Sequence, residues 1–424
     1  MNLIGKDILL PLPAPLIFLK WLLVISFLLH IIFVNLMLGG ALFGVIYRVI
    51  GRYKRDIFYE RFAREIILTT TVTKSIAVVL GVAPLLSISL VYTKFFYGAN
   101  GITAPYWLSV PLLVMTAFLL LYIYKFTWDT LGKRFFIHLL FGITACTILF
   151  FIPFIFLTNI NLMLYPDTWN NVRGFWSALV LPNVIPRYLH FITASLAITG
   201  FFSYFLFKYR AGRRSTSDAD FYIRSSKLGI LWALVATLAQ AIFGLINFIT
   251  LPDVAFSWHV TILVIVALIV AVLVSFFLFQ EYHSENTRFG LPIFFLITVL
   301  ILIMGTLRHV IRENALEIPK QVLAENTEYY QMQLARFKEE ELAEVKPSTG
   351  KELFAAYCIV CHAFDKRLIG PPLSYIREKY ATDREKMIEF IKEPKKVNPE
   401  YPKMPKLGLP KEDISKIVDY IYSK

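Results

Sequence analysis

The sequence predicts an all-α protein: a polytopic bundle of about eight transmembrane helices, followed by a small helical domain in water. Three observations predict it. Of the 424 residues, 57% are hydrophobic and 17% charged, too little polar surface for a water-soluble protein of this length. Up to about residue 312 the apolar residues fall in blocks of roughly 20, the length that crosses a hydrocarbon core as helix. Beyond Arg312 the chain turns polar.

The blocks place spans at 18–46, 66–92, 106–126, 136–160, 188–207, 227–250, 257–280 and 290–308. The connecting segments 47–65, 125–135, 208–227 and 281–289 carry sixteen Lys and Arg, whereas 1–15, 93–105, 161–187 and 251–256 carry four. Basic connections stay in the cytoplasm, so both termini are expected outside it, in the cell (inner) membrane of a two-membrane envelope. The first block is too long for a cleaved leader and lacks a basic start, so it is read as a span, with Lys20 and Trp21 marking where hydrocarbon begins.

The net charge of +13 raises a nucleic-acid partner, but the basic residues cluster between apolar blocks, where they anchor helices in a lipid bilayer; no nucleic acid is expected. Three cysteines are too few for a disulfide framework, and Cys146, inside an apolar block, reads as a small core residue. Residues 1–312 form the membrane part and 347–424 the final domain. Between them, 313–346 has the charged composition of a helical strut, with a flexible linker as the alternative.

The segment Cys358-Ile-Val-Cys361-His362 has the spacing of a c-type heme attachment signature. On a helical turn, positions three apart share a face, so both sulfurs reach the vinyl groups of one porphyrin. His362 then projects beneath the iron. A zinc site would need a second pair of Cys or His ligands, and the last 80 residues contain none. A redox dithiol would need a mixed strand and helix context, also lacking.

These residues resemble a class I cytochrome c. Gly350-Lys351-Glu352-Leu353-Phe354 is similar to the family's first helix, and Lys411 to Tyr422 to its last, which packs on the first. Gly370-Pro371-Pro372-Leu373 resembles the loop whose proline carbonyl orients the proximal histidine. Tyr401-Pro402-Lys403-Met404-Pro405 resembles the loop that brings the distal methionine. The resemblance implies one covalent heme c with His362 and Met404 as iron ligands, attached outside the cytoplasm. Met387, on a charged helical pattern, is expected to be partly packed at the surface.

Histidine inside a bilayer is costly and points to function. His190 and His259 stand at matching shallow depth on the fifth and seventh spans, where they can clamp one heme b; the alternative is two interface histidines satisfied by water or a carbonyl. His30 lies ten residues past Lys20, about 15 Å along a helix. It is read either as a helix–helix hydrogen bond or as a heme ligand or proton-path residue. His309 is expected to be structural, and His138 and His283 solvated at the cytoplasmic edge. Lys74 can snorkel, pair with a heme propionate or relay protons.

Residues 18–312 resemble the large subunit of cytochrome bd-type oxidases in Leu29-His30-Ile31-Ile32-Phe33-Val34, in Trp128-Asp129-Thr130-Leu131-Gly132-Lys133, and in Arg187-Tyr188-Leu189-His190 continuing to Thr193 and Ala194. The resemblance implies heme b on His190, with the family's methionine ligand replaced by His259 after Ala255-Phe256; His30 stands where the family's histidine ligates a heme of the oxygen-reducing pair, the place open to a second heme b. The chain departs from the pattern where the family's glutamates align with Ser109, Ala117 and a position near Ile303. It also lacks the long quinol-binding loop, since only Leu251 to Phe256 join the sixth and seventh spans. Expected is a membrane-bound respiratory cytochrome passing electrons between heme c and heme b. Its redox partner would be a cytochrome c or a respiratory complex, with a second membrane subunit or a homodimer completing the assembly. The alternatives are a cytochrome c-fed terminal oxidase or small-molecule reductase, and a membrane scaffold with a tethered cytochrome.

Overall fold

The computed structural model describes residues 8–131, 134–213, 216–284, 288–344 and 347–424, without the side chains of 72–75, 216–217 and 341–344. The Lys74 side chain, expected to snorkel, pair with a propionate or relay protons, and Gly132 and Lys133 of the Trp128 to Lys133 pattern therefore lie outside the described residues. Among the described residues the secondary structure is helical, without strands. Two compact units divide between Thr327 and Glu328.

The first unit contains α1 (Leu16–Lys54), α2 (Ile57–Val91), α3 (Thr93–Ile102), α4 (Ala104–Phe126), α5 (Phe135–Leu164), α6 (Phe175–Leu179), α7 (Val184–Ala211), α8 (Thr216–Ile249), α9 (Trp258–His283) and α10 (Gly290–Ala315). Helix α11 (Glu317–Glu344) begins here and covers most of the segment read as a strut. Among the described residues, seven helices are long and apolar enough to cross a membrane. Counting α2, bent by 46° between Thr71 and Ile76, there are eight. The shortest, α4, has 23 residues, or about 35 Å against a hydrocarbon core of about 30 Å. Large apolar side chains such as Leu112, Leu119, Ile269 and Phe294 are exposed along the spans. A bilayer covers such a girdle, and the chain is an integral membrane protein.

Small residues set the close pairing of α7 with α8. A Cβ on Gly200 of α7 would meet the α8 backbone nitrogen of Ala233 at 2.5 Å, and one on Gly229 of α8 would meet Tyr204 N at 2.6 Å. This approach is available only to glycine. Charges tie the basic ends together: Arg61 pairs with Asp218 at 2.8 Å, Arg210 with Glu65 at 2.6 Å and Arg64 with Asp129 at 2.6 Å. Glu281, 2% exposed, accepts from the backbone nitrogens of Arg288 and Phe289 at 3.1 and 2.9 Å, satisfying orphan donors at the start of α10.

His138 departs from the expectation of a solvated edge residue: it is fully buried. Its ring stacks on Tyr124 at 4.3 Å between centroids, and Nε2 faces the Tyr124 carbonyl at 2.7 Å, so aromatic cover replaces water. His283 is exposed, as expected.

The second unit contains α12 (Gly350–Tyr357), α13 (Leu373–Lys379), α14 (Arg384–Lys392) and α15 (Lys411–Tyr422). Helices α12 and α15 pack on each other. They cross so closely that a Cβ on Gly350 would overlap the Lys416 carbonyl. Leu353, Phe354, Ile414, Ile417, Val418 and Ile421 form the core with Met387. Met387 is 2% exposed rather than at the surface, because its α14 face turns inward with Ile388 and Ile391.

Helix α12 begins with a capping box: Thr349 Oγ1 accepts from Glu352 N at 3.3 Å, and Glu352 accepts from the Ser348 and Thr349 nitrogens at 3.1 and 3.2 Å. Those bonds hold the Glu352 carboxyl below its ordinary range. A lowered carboxylate stabilises the fold above its unfolded-state pKa and loses that contribution as pH falls through the folded one. Glu352→Ala is therefore expected to lower the melting temperature of this unit in the full chain at pH 7. The gap from wild type should narrow below pH 4, read from absorbance on heating; an equal gap at both pH values would contradict the capping role.

Candidate heme sites

In the C-terminal unit, α12 ends at the first motif cysteine and the chain turns so that Cys361 N and His362 N donate to Cys358 O at 3.1 and 2.9 Å. That turn brings Cys358, Cys361 and His362 onto the wall of one cavity of about 360 Å³, with Met404 and Met387 also lining it. His362 Nδ1 faces the Pro371 carbonyl at 2.9 Å. Opposite a carbonyl, Nδ1 carries the proton, which leaves the Nε2 lone pair for a metal. A Cβ on Gly370 would overlap the imidazole, so glycine there gives the ring its place. Cys358 and Cys361 are not joined in a disulfide, and burial pushes the Cys358 thiol up to about 11. A redox dithiol needs the opposite shift. Among the described residues, no group of three His, Cys, Asp or Glu could hold a metal ion alone, as zinc would require. Two thiols and an oriented imidazole in an apolar cleft fit a covalently held heme. Exposed Lys379, Lys395, Lys396 and Lys403 stand at its rim.

The membrane unit repeats the histidine device twice. His190 on α7 faces the Gln240 carbonyl of α8 at 3.1 Å through Nδ1, and Gly244, one turn on, leaves room for the ring. His30 on α1 faces the Ala77 carbonyl of α2 at 2.8 Å through Nδ1, and Gly81, one turn on, lies against it. In each case a carbonyl and a glycine four residues later hold the imidazole with Nε2 available. His190 lines a cavity of about 190 Å³, with Arg187, Arg308 and Met304 among its walls. His30 lines one of about 320 Å³, with Arg308 and Arg312. Both cavities are otherwise lined mainly by apolar side chains, as a porphyrin requires.

The structure brings His362 to Met404, but it does not bring His259 to His190. His259 is exposed and lines neither cavity. The face of α9 turned toward His190 carries Val264, Ala267, Leu268 and Ala271. Extended back one turn, that stripe reaches Val260 and Thr261; His259 is one position off it, about 100° around the helix. His309 is half-buried with Nδ1 unpartnered. Ser109 donates to the Tyr106 carbonyl of its own helix at 2.7 Å, and Ala117 is fully buried. Met304 carries no sequence pattern that marks it; the signal for Arg308 is its spacing of four from Arg312 at the end of an apolar block.

The profile described as cytochrome bd terminal oxidase subunit I matches residues 19–253, and that of the cbb3-type cytochrome c oxidase subunit III matches residues 345–421. Among solved structures, the bd oxidase from Geobacillus thermodenitrificans is similar in fold, with a TM-score of 0.52 and 17% identity over 76% of this chain and 88% of that one. No curated protein matches significantly.

Proposed function

Because the chain belongs to the cytochrome bd terminal oxidase subunit I family and carries a cytochrome c domain, its role lies in respiratory electron transfer, and we propose that it works between one extracytoplasmic c-type heme and heme b in the membrane. One observation carries this reading: three histidines, His362, His190 and His30, each hold Nδ1 on a backbone carbonyl and each line a cavity. Heme bound there supplies reversible one-electron transfer at iron. Cys358 and Cys361 would hold it covalently in the C-terminal unit, His362 and Met404 would serve as its iron ligands, and the Pro371 carbonyl fixes the imidazole orientation. In the membrane, His190 is the ligand for the first heme b and His30 for a second. The loop charge asymmetry supports both termini, and with them the cytochrome c domain, on the extracytoplasmic side. Quantification of pyridine hemochromes is expected to give one heme c and two heme b per chain; heme c alone would end this reading.

A second reading, a cytochrome c-fed oxidase or small-molecule reductase, is favoured by the larger volume beside His30. Against it stand Ser109 and Ala117 where the family's carboxylates serve the oxygen-reducing heme and its proton path, and an apolar stretch near Ile303 where the family has a glutamate ligand. A carbon monoxide difference spectrum separates the two: a ligand-sensitive Soret change favours the reductase, and none favours the transfer protein.

The lysine rim suits a redox partner with an acidic face. Oxidation of the reduced protein by ferricyanide is expected to slow as salt rises, and to slow several-fold at low salt in Lys395→Glu/Lys396→Glu. A salt-independent rate would remove the rim from the docking surface.

A further inference from the structure

Three arginines meet where the two membrane cavities adjoin. Arg308 lines both, Arg187 lines only the one beside His190, and Arg312 only the one beside His30. They stand within electrostatic reach of one another. Arg312 is 7% exposed, and Nη1 of Arg187 and of Arg312 are buried without a hydrogen-bond partner. Arg308 lies over the Phe27 ring at 4.4 Å and Arg312 over Tyr92 at 5.5 Å, contacts that orient a guanidinium without neutralising it. Among the described residues, none of the three forms an ion pair with a carboxylate; the nearby Glu313 is held instead by Lys20, Lys320 and Tyr92 at 2.8, 2.9 and 2.5 Å. Converging like charges in a low-dielectric interior call for anions, and guanidinium geometry selects paired oxygens.

We infer that Arg187, Arg308 and Arg312 bind the propionate groups of two hemes, one in each cavity, and that Arg308 bridges them. This rests on the assignment of heme b to His190 and His30. Arg187 and Arg308 clamp the heme held by His190, and Arg312 and Arg308 the one held by His30. All three are positioning groups outside the iron coordination, and Arg308 is a common electrostatic neighbour of the two hemes. A cation near the porphyrin stabilises the ferrous state, which carries one positive charge fewer, so each guanidinium raises the reduction potential. Losing Arg308 lowers both potentials, whereas losing either flanking arginine lowers one.

The test is a spectroelectrochemical titration of the full-length protein, with the two b bands assigned by His190→Ala and His30→Ala and heme c as the internal control. Arg308→Gln is expected to shift both b-heme equilibria toward ferric by about tenfold, or about 59 mV for one electron. Arg187→Gln shifts only the His190 heme, Arg312→Gln only the His30 heme, and Arg308→Lys stays near wild type. Loss of b heme in Arg308→Gln that Arg308→Lys restores supports the assignment equally, since the two differ in charge. Shifts below twofold in Arg308→Gln, or loss in both variants, overturn it. Wild-type protein without heme b would instead sink the functional reading on which it rests.

Discussion

Replacing His190 with alanine is expected to remove one heme b per chain and leave heme c at full occupancy, whereas His259→Ala leaves both unchanged. The contrast follows from where the side chains stand. His190 holds Nδ1 on the Gln240 carbonyl and lines a cavity, while His259 is exposed on α9. Removing a metal ligand abolishes the bond that retains a non-covalent heme, and no neighbouring carbonyl or glycine can take its place. Reduced-minus-oxidised spectra and pyridine hemochromes read the result directly. A b signal lost in His259→Ala and kept in His190→Ala would reverse the assignment. Met304, on the His190 cavity wall, is a soft donor that could take the place of His259.

Met404→Ala is expected to lower the heme c reduction potential by a few tenths of a volt, within the span of about 0.8 V that axial ligation covers. Thioether ligation favours ferrous iron, and Met404 is the group that would supply it. The methionine-to-iron charge-transfer absorption of the ferric state should vanish with it. Met387 lines the same cavity and is the control. Met387→Leu conserves volume in a packed core and is expected to cost under about 1.5 kcal/mol while leaving the potential in place. If Met387→Leu removed the absorption and Met404→Ala did not, the two methionines would exchange roles.

Most of the architecture was legible along the chain because bilayer physics is one-dimensional. Block length, loop charge and the polar turn after Arg312 each follow from residues adjacent in sequence, and seven spanning helices plus the bent α2 stand where the blocks lie. Helix ends ran past the apolar blocks, as in α1, which continues to Lys54 beyond the hydrocarbon-length stretch. Segment 93–105, read as a connection, holds α3.

What the sequence alone determined is the chemistry carried by one turn of chain: Cys358, Cys361 and His362 have a fixed spacing, so their convergence needs no tertiary information. Only the tertiary structure decided the rest, because rotation of a helix about its axis is set by packing across the bundle. A step of one residue on α9 turned His259 away from His190, and α14 turned Met387 inward. Folding also brought Arg187 to Arg308 across 121 positions of sequence. Depth can be counted along a chain; the direction in which a helical side chain points depends on its neighbours.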